Sequence, residues 1–574
     1  MNKKPYPVER KTVVYTTKAK CRDCYRCVRA CPVNAIKMED GQAQVVSENC
    51  IACGTCITEC PQHAKTYITD YGKVLQMLEA GHTLIATLAP SFAGYFNEWE
   101  QKRLPSALRA VGFHYVAETA VGAWYSAIQS IRHINEHHGQ HHICSACPAV
   151  VNYITLYAPQ YVSTLLPVAS PMIAHAKMLK KKFPKAKVVF IGPCVAKKDE
   201  ALQQKNAGII DSVLTFDELG ELLRVKNVSL NNCEESRFDQ EVQGDARLFP
   251  LEGGMLRTAN ASTDVLDNHV IAISGFPEIK EILQSLKKND EQKLIIEPLF
   301  CRYGCINGPA ANKEVNLFTK RGQILNYAEL NPGTQEPEDA ACTALLEMEY
   351  TGKQVKQNSY TNEQIKEVLA GIGKHTLEDE LNCTACGYNS CREKAVAVLD
   401  GLAEPDMCMP YMRRASEQKF DILISNDPNG IVILNDKLNI VHMNDAFKKM
   451  FSCSDSITGK NISYLIDPEP FEKLSAGDEG LVRKTIYYTP YNITAHVVIY
   501  SIPEQEQYVG VFTDMTDLKM SSDKLSDIKT ETLNKAQELL DHQISMAQEI
   551  ARFLGEHTAK EEVLLNRLMD IIKK

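Results

Sequence analysis

No run of about 18 consecutive apolar residues occurs in the chain, so it lacks the length of segment that a membrane-spanning helix needs. The opening residues, Met-Asn-Lys-Lys-Pro-Tyr-Pro-Val-Glu-Arg-Lys, lack the apolar core of a secretory signal, and a cytoplasmic, reducing location is expected. Excess basic charge is missing too. The formal net charge is −9, which gives no general attraction to nucleic acid or to an anionic membrane, and neither is expected as a partner. The apolar fraction of 44% and charged fraction of 24% are those of ordinary globular protein. At 574 residues the chain exceeds what one core of roughly 100–200 residues supports, so several units are expected.

Cysteine, by contrast, is abundant. Twenty are present, most of them in tight clusters. In a reducing compartment such clusters read as metal ligands, because the thiol pool keeps unliganded pairs from forming disulfides.

In residues 1–75 the pattern C-x2-C-x2-C-x3-C-P occurs twice, as Cys21, Cys24, Cys27, Cys31-Pro32 and as Cys50, Cys53, Cys56, Cys60-Pro61. Three cysteines on one tight loop can hold three corners of a 4Fe-4S cube while the fourth completes the other cube. Cys21, Cys24, Cys27 and Cys60 are thus assigned to one cluster, and Cys50, Cys53, Cys56 and Cys31 to the second. A pair of zinc knuckles is the alternative, but zinc explains neither the Cys-Pro nor the duplication. The segment resembles bacterial two-cluster ferredoxins, which implies electron relay.

In residues 78–350, strand-like runs (Thr83 to Leu88, Lys187 to Ile191, Lys293 to Ile296) alternate with helix-like stretches such as Ser170 to Lys182, the mark of α/β layering. Chemistry-bearing residues follow the apolar runs. After Ile143 comes Cys144-Ser-Ala-Cys147-Pro, after Ile191 comes Gly-Pro-Cys194-Val-Ala-Lys197-Lys-Asp-Glu200, and after Phe300 comes Cys301-Arg-Tyr-Gly-Cys305. Open α/β sheets place ligands at strand ends, and four thiolates suffice for one more cube.

The order and spacing of these segments resemble the H-cluster domain of the iron-only (FeFe) hydrogenases. That resemblance implies that Cys147, Cys194 and Cys301 hold a cube and that Cys305 bridges it to a diiron unit with CO, CN and dithiolate ligands. It implies further that Lys197 hydrogen-bonds one cyanide and that Ala89-Pro90-Ser91 lies near the other. The implied reaction is reversible cleavage of H2 to protons and electrons, the bond chemistry belonging to the cofactor.

Departures from the pattern point to slow turnover. The proton-passing cysteine usual before the first ligand is Ala146 here, two expected methionines are Gly192 and Leu299, and Gly94-Tyr-Phe-Asn lacks the usual acidic pair. A methyl group relays no proton, so Cys144 or ordered water would have to substitute, Cys144 being otherwise a packed thiol. Cys233, Cys342 and Cys453 stand outside any motif and read as structural thiols.

Residues 360–415 carry Cys383, Cys386, Cys391 and Cys408 as C-x2-C-x4-C-x16-C, with an alanine-rich helix from Arg392 to Leu402. This resembles a small single-cluster 4Fe-4S module of anaerobic redox enzymes, although the spacing alone also admits zinc. Asn331 to Ala340 and Gly352 to Thr361 read as the connection from the preceding domain.

Residues 417–520 offer a strand pair (Gly430 to Leu434, Asn439 to Met443), a helix from Asp445 to Met450 capped by Asn444, and three strands from Lys484, Ile493 and Gln507. The order resembles a PAS domain ending at Asp514-Met-Thr516, either ligand-binding or simply a packed dimerisation unit. In residues 521–574, Leu540, Ile544, Ala547, Ala551 and Leu554 have coiled-coil spacing up to Gly555. A last helix with a capping box at Thr558 and Glu561 follows, carrying Leu565, Leu568 and Ile572. Homodimerisation through the PAS unit and coiled coil is expected, an amphipathic helix folded back on its own domain being the alternative.

The expected fold class is therefore multidomain α+β and α/β. The expected function is an H2-sensing hydrogenase acting on H2 and protons, signalling through a separate partner such as a kinase or phosphatase. A ferredoxin-linked metabolic hydrogenase is one alternative. A non-enzymatic iron–sulfur regulator lacking the diiron unit is the other.

Overall fold

The computed structural model describes residues 12–242, 244–264, 269–286, 293–329, 346–355, 358–475, 481–502, 506–517, 529–543 and 545. The chain divides into two compact units, Met1–Met412 and Arg413–Lys574.

In the first unit a four-stranded parallel sheet has the order Tyr115–Glu118, Leu84–Leu88, Lys187–Ile191, Ser212–Leu214. All five residues of Leu84–Leu88 are buried, as expected for a central parallel strand covered on both faces. A second parallel sheet runs Val270–Ser274, Ile295–Leu299, His142–Ile143. The strand expected from Lys293 begins at Ile295, where pairing with Val270 sets its register, and it ends at Leu299.

Two helices on the first sheet, Ala120–Glu136 and Pro171–Lys182, meet at Gly122. A Cβ there would lie 2.3 Å from the Pro171 carbonyl oxygen and 2.6 Å from the His175 Cβ, so only glycine permits the approach. His175 is fully buried, with Nδ1 2.7 Å from the Thr87 hydroxyl. Burial pulls its pKa down from 6.5 to about 4, against the partial support of Gln240. The folded form therefore binds fewer protons between those values. This contribution to stability is whole above pH 6.5 and is lost as pH falls toward 4, by about 3 kcal/mol in all. Thermal unfolding at pH 7 and pH 5 should show about 2 kcal/mol of that loss, and a His175→Gln variant should flatten it.

The N-terminal segment contains two short antiparallel pairs, Val14–Thr16 with Lys65–Tyr67 and Ile36–Glu39 with Gln42–Val45. Short helices Arg26–Ala30 and Thr55–Thr58 complete it. Its Val28 and Ile51 lie in one hydrophobic cluster with Ile143, Ile154 and Val195 of the sheet region and with Tyr388 and Met407 of the four-cysteine module. Three segments that follow one another in sequence thus share one core. Segments of about 60 residues bury too little surface to stand easily alone, which favours this pooling.

The second unit holds a five-stranded antiparallel sheet, in the order Ile440–Met443, Gly430–Leu434, Gln507–Asp514, Ile493–Ile502, Leu481–Tyr488. The Asn444 side chain accepts from Phe447 N at 2.9 Å, capping helix Asp445–Met450, and from Ile431 N at 2.8 Å. Rings of Phe447, Phe451, Phe512 and Tyr488 contact one another inside the sheet. The interior is packed closely enough that a Cβ on Gly510 would lie 2.8 Å from the Phe471 ring.

Residues 529–543 are helical. The expected seam beyond Leu540 (Ile544, Ala547, Ala551, Leu554), the last helix, Cys342 and the connection Asn331 to Ala340 lie outside the described residues. Among the described residues no helix is long and apolar enough to cross a membrane.

Candidate functional site

Strand ends deliver the four thiols of the sheet region. Strands His142–Ile143, Lys187–Ile191 and Ile295–Leu299 stop just before the three cysteine-bearing loops. Cys147 and Cys194 occupy the N-cap positions of helices Pro148–Tyr157 and Val195–Leu202, where the helix dipole favours negative sulfur. Cys305 follows Gly304, whose φ of +87° carries the loop so close to Pro250 O that a Cβ would lie 2.2 Å from it.

The four thiols are mutual neighbours. Burial pushes Cys194 up to about 11, with the Cys147 charge adding to the effect. Cys301 is raised well above the ordinary thiol value by burial and then by Cys194, Cys305 and Cys147. Cys305 is raised by burial and then by Cys194 and Cys147. Four converging thiols, three of them raised by their surroundings and by neighbouring sulfur, suit a polynuclear cationic core, which binds all four as thiolates. Among the described residues no three His, Cys, Asp or Glu side chains close on a single ion.

Lys197 stands beside this set. Its buried ammonium donates to Glu200 Oε2 and to Ser170 Oγ, both at 2.8 Å, and lies 3.4 Å from the Ala146 carbonyl. Its charge favours ionisation of both Cys194 and Cys305. The turn Pro90–Gly94 is wholly buried and is anchored by Phe92 against Tyr327, their ring centroids 5.1 Å apart. Within it Ser91 Oγ has no hydrogen-bond partner among the described residues. A buried hydroxyl left unpaired costs about 1–3 kcal/mol, so this donor fits a bound group carrying an acceptor.

The expected departures have physical counterparts. A Cβ on Gly192 would lie 2.9 Å from Ala89 Cβ and from the Phe190 ring, so aromatic carbon fills the space next to it. Leu299 is buried, and Ala146 is half-buried against a cluster that contains Cys144. Cys144 is also buried, its sulfur 3.6 Å from Met255 Sδ, and burial followed by the charge of Glu297 holds its thiol well above the ordinary value.

Glu297 was not singled out from the sequence. It is buried and accepts from Met255 N at 3.1 Å and Leu256 N at 3.0 Å, and burial pushes it up to about 7. Its charge reaches Cys305 and Cys144, and that of Glu252 reaches it in turn. The available signal was a lone acid inside the apolar run Leu294 to Phe300.

The N-terminal cysteines fall into two groups. Cys21, Cys24, Cys27 and Cys60 line one small cavity together with Lys65. Cys56 is raised by burial and then by Cys53, Cys31 and Cys50. Backbone donors contact the sulfurs, with Ala35 N 3.2 Å from Cys31, Ala52 N 3.3 Å from Cys50 and Ala64 N 3.2 Å from Cys60, as occurs at iron–sulfur sites. The second group touches the sheet region. A Cβ on Gly54 would lie 2.5 Å from Pro309 Cγ, Asn152 donates to Ile51 O at 3.2 Å, and the Cys53 charge reaches Cys301. Cys383, Cys386, Cys391 and Cys408 line a further small cavity. Cys233 and Cys453 lie outside all of these sets.

Residues 82–309 match the family model "Iron only hydrogenase large subunit, C-terminal domain". This stretch is a hydrogenase-like domain. A 4Fe-4S dicluster domain matches residues 13–61, an Fe-S cluster domain 379–410 and a PAS domain 428–517. The chain thus combines a hydrogenase-like domain with iron–sulfur domains and a PAS domain.

Among curated proteins, the mouse (Mus musculus) nuclear prelamin A recognition factor is 23% identical over 353 residues, covering 49% of this chain and 76% of that protein. Cytosolic iron-sulfur assembly component 3 of Bos taurus is 24% identical over 380 residues, covering 52% and 78%. Among solved structures, [FeFe]-hydrogenase HydA1 from Chlamydomonas reinhardtii is 16% identical with a TM-score of 0.39, covering 50% of this chain and all of that one.

Proposed function

We propose that the chain is a low-turnover H2 sensor. In this reading Cys147, Cys194 and Cys301 hold a cube, and Cys305 joins it to a diiron unit with CO, CN and dithiolate ligands. The bound cofactor supplies reversible H2 cleavage. Lys197 and Ser91 donate hydrogen bonds to its anionic ligands, and the N-terminal cysteine sets carry electrons away. The PAS unit and the helical tail, paired with a second copy, pass the change to a separate partner such as a kinase or phosphatase. The observation that carries the reading is a buried ammonium next to four converging thiols, together with a buried hydroxyl, unpaired among the described residues, on the turn that packs against the Cys305 segment.

A second reading keeps the cube and omits the diiron unit, making the chain a non-enzymatic iron–sulfur regulator. The curated relatives support it better than they support H2 sensing, since the names they carry are those of a recognition factor and an iron–sulfur assembly component. Infrared spectra of protein matured anaerobically decide between the two. Carbonyl and cyanide stretches are expected, and their absence from fully iron-loaded protein would leave the second reading.

Turnover in both directions tests the sensory role, large H2 evolution by the unmodified chain counting against it. The Ala146→Cys variant is expected to raise turnover less than tenfold. A thiol restores one relay position, whereas Gly94, Tyr95, Phe96 and Asn97 still offer no carboxyl beyond it. A gain of about 10² or more would show that the missing cysteine alone limits the rate.

A further inference from the structure

The four-cysteine module lies against the N-terminal segment, and Tyr388 stands at the seam. Gly387, with φ +95°, closes on helix Arg26–Ala30: a Cβ there would lie 3.1 Å from both Cα and N of Arg29 and 3.2 Å from Val28 C. The Arg29 guanidinium ties the two sides together, donating to Ala385 O at 3.3 Å and to Cys24 O at 3.2 Å. Met38 N donates to Leu402 O at 3.3 Å and Asp40 N to Glu404 Oε1 at 3.1 Å.

Tyr388 is 3% exposed and belongs to the same core as Cys27 and Val28. It also lines the cavity of Cys383, Cys386, Cys391 and Cys408. Its backbone N–H donates to Cys386, while its buried hydroxyl has no hydrogen-bond partner among the described residues. Cys386 and Cys31 both pack against this core. Those two thiols belong to different cysteine sets.

Resting on the reading that both sets hold 4Fe-4S clusters, we infer that Tyr388 is a positioning residue that joins them. Its hydroxyl donates to a cluster sulfur at the seam, and electrons pass there between the small module and the cluster that Cys31 helps to hold. The reduced cube loses one electron and the oxidised cube gains it. The module is then a branch of the N-terminal wire, tuned by a donor whose hydrogen bond favours the more negative, reduced cluster.

The test is an EPR-monitored redox titration of the full iron-loaded chain. Tyr388→Phe, which keeps the ring, is expected to retain all iron and to lower one of the two midpoint potentials. The reduction constant should fall about tenfold, equivalent to about 59 mV for one electron. Tyr411→Phe, in the same module, should leave both potentials in place. Unchanged potentials in fully loaded Tyr388→Phe, or loss of iron from it, would overturn the inference while leaving the cluster reading standing. Unchanged iron content in Cys386→Ser would overturn the cluster reading, and the inference with it.

Discussion

The Lys197→Met variant is expected to lose H2 conversion and about 3–5 kcal/mol of stability together, and a second substitution should separate the two effects. Lys197 and Glu200 form a buried ion pair at 2.8 Å, each side chain 11% exposed. Removing the ammonium leaves the carboxylate buried without a counter-charge, which accounts for the stability loss. In the Lys197→Met/Glu200→Gln double variant both charges are gone, and most of the stability should return. On the proposed reading H2 conversion should not return with it, since the donor for the cofactor's anionic ligand would still be missing. Thermal unfolding and H2 uptake, measured on the four members of this cycle, give both quantities. Recovery of both in the double variant would reduce Lys197 to a structural partner of Glu200 and remove the main support for the diiron reading.

Cysteine spacing made much of this legible from sequence, because a ligand loop is a local object. The C-x2-C-x2-C-x3-C-P repeats, the three loops of the hydrogenase-like domain and the small module all show their thiols within short stretches. Apolar runs placed the strands, and two of them, Lys187–Ile191 and Gly430–Leu434, have the bounds the sequence suggests. The Asn444 cap is local too, which is why both its position and its helix were readable.

What escaped sequence reasoning depends on contacts between distant segments. Nothing near Lys293 says that pairing with Val270 starts the strand at Ile295. Nothing in the module's own residues says that Gly387 closes on Arg29, more than 350 positions away. Ser170 belongs to the same class: in sequence only the start of a helix-like stretch, it becomes a partner of Lys197 when its helix packs beside the Cys194 loop.

Glu297 supplies the other large expected effect. The Glu297→Gln variant should bind its iron normally yet convert H2 about 10²-fold more slowly, the size typical of a lost acid–base group. On the proposed reading, with no relay thiol at Ala146, protons need another way between the four-thiol site and water. Glu297 is the buried carboxyl whose charge reaches both Cys305 and Cys144. Beyond it stands Glu252, which accepts from the Ser274 hydroxyl and lines an open cleft with Arg257 and Tyr303. Ser274 in turn accepts from Tyr303 N at 3.0 Å, so the hydroxyl is held at the cleft edge. Glutamine keeps the size of the side chain and, through its single oxygen, one of the two bonds that Oε1 and Oε2 accept from Met255 N and Leu256 N; losing the other costs about 1–3 kcal/mol, while the exchangeable carboxyl proton is gone. Unaltered turnover in iron-replete Glu297→Gln would close this route, and a rate restored by small weak acids added to the medium would establish that proton delivery is what the variant lacks.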